Sequence, residues 1–259
     1  MSLVELVTAL YFHHMKIDPK NPEWPGRDRL ILSKAHSCET LYAAFVELNW
    51  FPREMLKKYM RLGSPFQGHA DRWATSGIEF SGGSLGEGLS FAAGVALASL
   101  LDKPVCDVPI KATYRYPPKY RVYCILGDGE CHEGQVWEAA MTAAHYKLDN
   151  LIAIVDYNKY AHDGPITEVM GLDPFAEKWR SFGWWVTEID GHNMTQIIDA
   201  LELAENLYGD RKPKCIIAHT VKGKGVPTWE LSHAHYGREP ILSRGLEEGK
   251  SMYLQGERK

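Results

Sequence analysis

An acidic residue and an amide residue stand directly after two short apolar runs that are typical of buried strands. Asp128 follows 122–126 within the sequence Gly127-Asp128-Gly129-Glu130, and Asn158 follows 151–155. Both side chains carry hard oxygen donors, the ligands that Mg²⁺ prefers in proteins. If the two strands are neighbours in a parallel sheet, both residues lie at the same edge, where such sheets bind ligands. The pattern therefore predicts a divalent cation site.

The glycines of this segment indicate what the cation would serve. Gly129 allows the backbone to come close to a ligand, and the helix that follows favours an anion at its N-terminus. A carboxylate at this position would repel a bare phosphate, so we expect a cation between Asp128 and a phosphorylated ligand. The alternative is that the Gly-Asp-Gly segment is only a tight turn and that Asn158 only caps a loop.

The elements that must position these residues alternate along the chain. Strands are predicted at 122–126, 151–155, 185–189 and 215–219, and helices at 135–146, 175–182 and 195–208. Before them, helices are predicted over an amphipathic N-terminal segment, over 39–49, over 52–61 and from the glycine-rich 82–86 to about residue 101. Apolar strands that alternate with helices predict an α/β fold whose parallel sheet is covered by helices on both faces. We expect one domain over 1–259, with a surface excursion at 102–120 and a peripheral tail at 238–259.

Composition excludes several classes of protein. The chain has 259 residues, 45% of them hydrophobic and 24% charged, and a net charge of −4, which argues against disorder and against a nucleic-acid-binding surface. No apolar run suits a membrane span or a signal peptide. Five scattered cysteines suit a reducing cytoplasm. His13 and His14 are expected on a solvent-facing side of the first helix, and Trp184 in packing.

The segment GDGECHEGQVWEAAMTAAHYKLDNLIAIVDYNKY resembles the thiamine diphosphate motif, which opens with GDG and closes with Asn. Across roughly residues 1–237 the chain is similar to the N-terminal half of transketolase. The segments that carry this resemblance, in order, are RDRLILSKAHSCETLY, LGSPFQGHADR, SGGSLGEGLSFAAGVALA, IDGHN and TVKGKG. The resemblance implies the thiamine-diphosphate-binding fold, with thiamine diphosphate and Mg²⁺ or Ca²⁺ as cofactors.

The resemblance also implies roles for individual residues. Asp128, Asn158 and the carbonyl of Tyr160 would bind the metal. His36 would contact the diphosphate side of the cofactor, and His69 would lie over the reactive carbon, where an imidazole can donate to a developing alkoxide. The catalytic set is thus His69, His36 and Glu133, the last of which matches a glutamate of the subunit interface. The cofactor-binding set comprises His36, Gly83, Leu85, Gly127, Asp128, Gly129, Glu130, Asn158, Tyr160, His162 and His235.

The sequence departs from the family pattern at several places. A Ser-Gly-His-Pro segment of the family would precede Met1, and the Gly-His-Pro-Glu expected around His69 is Gly-His-Ala-Asp here. His162 stands where the family has an apolar or amide side chain. The family's His-Gly after the Lys-Gly-Lys-Gly loop is displaced, so that His233, His235 or Tyr236 could take its place. These departures leave the substrate open.

The resemblance implies a partner. Transketolase-like enzymes have a pyrimidine-binding domain whose glutamate contacts the aminopyrimidine, and no second sheet pattern is present in this chain. We therefore expect one subunit of a split enzyme, assembled as α2β2 with a C-terminal transketolase-like subunit, in the cytoplasm, without nucleic acid or membrane.

Three functions follow from these observations. The first is transfer of a two-carbon ketol unit between sugar or sugar phosphate substrates. The second keeps the cofactor and performs decarboxylation of a 2-oxo acid with carboligation, and the third is a non-catalytic partner subunit. Lys222 and Lys224 could steer an anionic substrate or only flank a flexible glycine loop.

Overall fold

The computed structural model describes residues 1–101, 119–230 and 247–251. Five strands form one sheet in which every pair is parallel, in the order β1-β2-β3-β5-β4. The strands are β1 (Arg29–Leu32), β2 (Val122–Gly127), β3 (Leu151–Tyr157), β4 (Trp185–Asp190) and β5 (Lys214–His219). This confirms the predicted fold class and the four strands expected from sequence.

Helices cover both faces of the sheet. They are α1 (Val4–Ala9), α2 (Cys38–Glu47), α3 (Glu87–Leu101), α4 (Gly134–His145), α5 (Ile166–Val169), α6 (Phe175–Ser181), α7 (Met194–Asn206) and α8 (Pro227–Glu230). Short 3₁₀ segments run over Ala35–Ser37, Arg53–Lys58 and Gly129–His132, and a π-helical turn over Leu10–His14 continues α1.

Side chains alternate between two cores along each inner strand. In β3, Ile152 and Ile154 pack with α1, α2 and α7, whereas Ala153 and Val155 pack with α3, α4 and α6. Each fully buried isoleucine of this kind contributes roughly 1.5–3 kcal/mol through the apolar surface it removes from water. Burial on both faces explains why these strands are continuous apolar runs.

Three local expectations are corrected. Strand β1 was not predicted, because it has only four residues and begins with an arginine. The helix expected over 52–61 is a 3₁₀ segment with no buried residue, too little packing to sustain an α-helix. His14 is not solvent-facing: its side chain is 4% exposed, 3.6 Å from Glu205, and packs edge-on against Tyr123. His13, with a side chain 55% exposed, does face solvent.

Most of the expected excursion at 102–120 and most of the expected tail at 238–259 lie outside the described residues, and so does His235 with its alternatives His233 and Tyr236. Within the part of the chain that the structure describes, no helix has the length and apolar character needed to cross a bilayer.

Candidate active site

Four loops meet at the carboxyl edge of the sheet. They follow β1 (33–37), β2 (128–130), β3 (158–160) and β5 (220–225), which are consecutive neighbours in the sheet, while β4 lies outside them at the edge. The strand order therefore places the glycine-aspartate loop between the Lys34–His36 segment and the Asn158 loop, with the TVKGKG loop beside them.

Asp128 contacts the loop of Asn158 directly. One carboxylate oxygen, Oδ1, accepts a hydrogen bond from the Gly129 amide at 2.8 Å, and Oδ2 accepts one from the Lys159 amide. The Asn158 side-chain oxygen accepts from the Tyr160 amide at 3.0 Å. The prediction that Asp128 and Asn158 follow adjacent strands is confirmed, and their roles as metal ligands stay predictions.

The Asp128 carboxyl lies in a place where its charge is poorly solvated. The residue is 1% exposed, and burial raises the pKa of Asp128 to about 7, although the Gly129 and Lys159 amides and the Lys34 ammonium oppose the rise. The nearby Asp156 carboxylate adds to the rise. A divalent cation at this carboxylate would supply the stabilisation that water does not.

Asp156 and Lys34 form a buried ion pair behind Asp128. Their charged atoms lie 2.6 Å apart, and the side chains are 0% and 7% exposed. Asp156 also accepts hydrogen bonds from the hydroxyls of Ser2 and Thr220. Burial by itself would raise the pKa of Asp156, but the Lys34 ammonium and these hydroxyls hold it below its usual value. One carboxylate at the end of β3 thus fastens the loops that follow β1 and β5.

Lys222 brings a second cation to the same edge. Its ammonium is buried and has no hydrogen-bond partner among the described residues, and it lies 5.6 Å from the centre of the Tyr160 ring. Burial lowers the pKa of Lys222, the Lys34 charge lowers it further, and Asp128 raises it. A buried ammonium without a hydrogen-bond partner is costly, and an anionic ligand beside Asp128 and Lys34 would provide that partner.

Glu130 connects three loops of the site. Its carboxylate accepts hydrogen bonds from the Ser33 hydroxyl, from the Gly86 amide at 2.9 Å and from the Gly127 amide at 3.0 Å. The residue is 2% exposed, and burial raises the pKa of Glu130 even though these three donors lower it. The structure therefore shows a carboxylate that positions loops, and its direct contact with the cofactor stays a prediction.

The glycine-rich loop (82–86), which precedes α3, reaches the same edge of the sheet. Gly86 adopts a φ of +87°, and a Cβ there would lie 2.8 Å from Cβ of Glu133, so only glycine fits. A Cβ on Gly83 would meet nothing within 4 Å, so this part of the loop faces open space, and Leu85 is 36% exposed beside it. The placement leaves Gly83 and Leu85 accessible to a ligand, as their predicted roles require.

The remaining predicted residues surround this edge. His36 is half-buried on the 3₁₀ turn after β1, and His69 is exposed on a loop held to α2, where Tyr42 donates to the Gln67 carbonyl at 3.0 Å. Glu133 is the N-cap residue of α4 and packs against Gly86, and His162 is exposed beyond Tyr160. Their contacts with a cofactor or substrate stay predictions.

Sequence reasoning missed Asp156 and Lys34 and left Lys222 undecided. A signal for Asp156 was present, because it is a charged residue at the end of an otherwise apolar strand that turns out to be buried. Nothing local marks Lys34 as its partner, since 122 positions separate the two residues.

Comparison with known proteins identifies the family. The family model described as "Transketolase, thiamine diphosphate binding domain" matches residues 1–252. The chain is 47% identical over 225 residues to the 6-deoxy-6-sulfo-D-fructose transketolase subunit SqwG of Clostridium sp. (strain MSTE9), with 87% of this chain and 76% of that protein covered. It is 37% identical over 238 residues to an apulose-4-phosphate transketolase subunit of Phocaeicola vulgatus, with 92% and 79% covered.

Solved transketolases share the fold. The structure of transketolase from Campylobacter jejuni aligns with a TM-score of 0.75 at 31% identity over 95% of this chain, and a transketolase variant from Pichia stipitis aligns with a TM-score of 0.74 at 28% identity over 98%. The chain spans 37% and 41% of the length of those two proteins. The chain therefore belongs to the transketolase family, as the thiamine diphosphate binding domain of a thiamine-diphosphate-dependent transferase.

Proposed function

We propose that this chain is the diphosphate-binding subunit of a split transketolase that moves a two-carbon ketol unit between sugar substrates. The observation that carries the proposal is the hydrogen bond that joins Asp128 to the Asn158 loop, at the same sheet edge as the Lys222 ammonium, which has no hydrogen-bond partner among the described residues. An acid, an amide and such a cation at one sheet edge suit a metal and a diphosphate bound together.

The donor set fits Mg²⁺ or Ca²⁺. Asp128, Asn158 and the Tyr160 carbonyl would hold the cation, which would keep the Asp128 carboxyl ionised despite the burial that raises its pKa. Lys222 would neutralise charge on the diphosphate. When bound, thiamine diphosphate supplies a carbanion at its thiazolium carbon.

This chain's residues would orient the cofactor and the substrate and would transfer protons. Gly83 and Leu85 border the open space into which the aminopyrimidine side would extend. His69, exposed on a loop fixed to α2, would donate a proton to the substrate oxygen as charge develops there, and His36 would hold the diphosphate side.

The substrates are proposed to be ketoses and aldoses that carry an anionic group. Two relatives have names that specify a sulfo sugar and a sugar phosphate, and both groups are negatively charged at neutral pH. The departures from the family pattern around His69 and His162 are the positions at which we expect substrate preference to differ.

A partner chain is proposed to complete the enzyme. Two relatives are named as transketolase subunits, so we expect the pyrimidine-binding domain on a second subunit, in an α2β2 assembly in the cytoplasm. Exposed Glu133, beside the glycine-rich loop, is the residue we expect at that interface.

Reconstitution tests the proposal. The chain is mixed with its partner subunit, Mg²⁺, thiamine diphosphate, a ketose phosphate donor and an aldose acceptor, and the aldose product is measured. A parallel mixture with pyruvate is monitored for CO₂. Ketol transfer that needs both chains is expected, whereas CO₂ release without transfer would replace the proposal with decarboxylation. A complex that binds no thiamine diphosphate would leave a non-catalytic role.

A further inference from the structure

The turn that follows β4 lies unusually close to β5. The Gly191 amide donates to the His219 carbonyl at 2.8 Å, and a Cβ on Gly191 would lie 2.5 Å from Cγ2 of Thr220. Glycine is needed here because any side chain would push the turn away. The close approach carries His192 to the beginning of the TVKGKG loop.

The His192 imidazole lies between that loop and α1. Its Nε2 accepts a hydrogen bond from the Val221 amide at 2.9 Å, and its Nδ1 lies 3.1 Å from Oε1 of Glu5. The side chain is only 11% exposed. His192 is itself fixed, because its amide donates to Oδ1 of Asp190 at 2.9 Å.

These contacts select one form of the ring. An amide can only donate, so Nε2 must be the unprotonated nitrogen, and in a neutral imidazole the proton then lies on Nδ1, 3.1 Å from Oε1 of Glu5. This single tautomer satisfies the Val221 amide. His192 is therefore a fixed acceptor for one backbone donor.

That donor precedes Lys222, the second cation of the site. Thr220, on the other side of Val221, is fastened by its hydroxyl to Asp156 and by its amide to the Tyr157 carbonyl at 3.2 Å. Two consecutive residues of the loop are thus held from outside, and the next residue extends its ammonium toward the Tyr160 ring. The direction of Lys222 depends on both attachments.

We propose that His192 is a positioning residue for diphosphate binding, acting through Val221 to direct Lys222. This inference rests on the proposed function and deepens it, because it assigns a role to a residue that does not touch the ligand itself. Replacing His192 is expected to lower the affinity for the diphosphate group of the cofactor, while the metal ligands stay unchanged.

Two variants separate the hydrogen bond from the ring. Glutamine carries its Oε1 at the same distance along the side chain as Nε2 of histidine, so H192Q can accept from Val221, whereas asparagine is too short. Calorimetry of thiamine diphosphate binding is done with the full chain, Mg²⁺ and the partner chain present. The Kd should be about tenfold higher for H192N, which corresponds to the free energy of about one hydrogen bond. For H192Q the Kd should be nearly unchanged. H13N, at an exposed histidine, is the matched control and should bind as wild type does.

A double-mutant cycle tests the route through Lys222. In a K222M background, H192N should add little to the loss of affinity, because the group that His192 directs has been removed. Hydrogen exchange at the Val221 amide supplies a second readout: it should be slow in wild type and H192Q and fast in H192N. If H192N does not fold, fast exchange of this amide in wild type would by itself overturn the proposal.

The outcomes distinguish the two levels of inference. A wild-type complex that takes up no thiamine diphosphate would overturn the proposed function and this inference with it. A wild-type complex that binds the cofactor, together with H192N that binds it equally well, would overturn only the role of His192. Additive losses in the K222M background, or an H192Q variant as weak as H192N, would do the same.

Discussion

The buried lysines at the two ends of the sheet differ in how completely the protein satisfies their charges. Lys214, at the start of β5, lies 2.6 Å from Asp210 and also donates to the carbonyls of Lys212 at 2.6 Å and Leu207 at 3.3 Å. Lys34, at the carboxyl edge, forms its ion pair with Asp156 at 2.6 Å, and the buried ammonium of Lys222 near it has no hydrogen-bond partner within the part of the chain that the structure describes.

The difference separates a structural end of the sheet from a functional one. At the amino end the buried cation is satisfied by the protein alone, so its burial contributes only to folding. At the carboxyl edge the described residues leave an ammonium without a partner and hold the Asp128 carboxyl where burial raises its pKa to about 7. Groups in this state are stabilised when a ligand arrives, which is the arrangement expected of a binding site.

The largest expected effect comes from removing either lysine. K34M leaves the fully buried Asp156 carboxylate without its cation and should lower the free energy of unfolding by about 3–5 kcal/mol. K214M should cost about 1–3 kcal/mol, because Asp210, with a side chain 27% exposed, can be hydrated. Urea unfolding of both variants measures the difference, and equal losses would contradict the argument that Asp156, unlike Asp210, cannot be hydrated once its lysine is gone. Only K34M should also weaken cofactor binding.

A pH series on the metal-free chain tests the Asp128 environment. The folded-state pKa of Asp128, about 7, lies above its unfolded value, so the folded chain holds this proton more strongly. Between about pH 4 and pH 7 the Asp128 contribution should therefore lower the free energy of unfolding as pH rises, by a few kcal/mol in total. D128N should flatten this part of the curve. Identical pH profiles for wild type and D128N would contradict the burial argument.

Cofactor binding should be more sensitive to Asp128 than folding is. At pH 8, D128N should raise the Kd for thiamine diphosphate with Mg²⁺ by about 100-fold or more. Replacing a residue that only hydrogen-bonds to a metal ligand already lowers metal affinity by about 10–100-fold. Its unfolding free energy at the same pH should be equal to or above that of wild type. Calorimetry and urea unfolding check the two halves, and tight Mg²⁺-dependent binding by D128N would remove the basis of the metal site.

The smallest effect is expected at the loop connection of Glu130. In E130Q an amide nitrogen replaces one acceptor oxygen and faces a backbone amide of Gly86 or Gly127, so stability should fall by about 1–3 kcal/mol and affinity for thiamine diphosphate by about tenfold. E177Q, at an exposed glutamate of α6, should change stability by less than about 0.5 kcal/mol. Unchanged cofactor affinity in E130Q would show that the glycine-rich loop keeps its place without Glu130.

Much of the fold was accessible to prediction because its signals are local. Each apolar run or helical pattern lies within a single element, as in β2, β3, β5 and the helices between them. The structure confirms these elements, with boundaries shifted by one or two residues. Strand β1 escaped prediction because four residues carry too little pattern. His14 was misplaced because its burial is produced by Tyr123 and Glu205, which are remote in sequence.

The sequence by itself determined the alternation of strands and helices, the positions of Asp128 and Asn158 at the ends of consecutive strands, and the family that these motifs indicate. Only the tertiary structure decided the strand order, which inserts β5 between β3 and β4 and so brings the Lys222 loop beside Asp128. It also decided that Asp156 pairs with Lys34 and that Glu130 turns inward to Ser33. The reason is physical: periodicity is a property of neighbouring residues, whereas the state of a buried charge depends on partners that only the folded chain brings within reach.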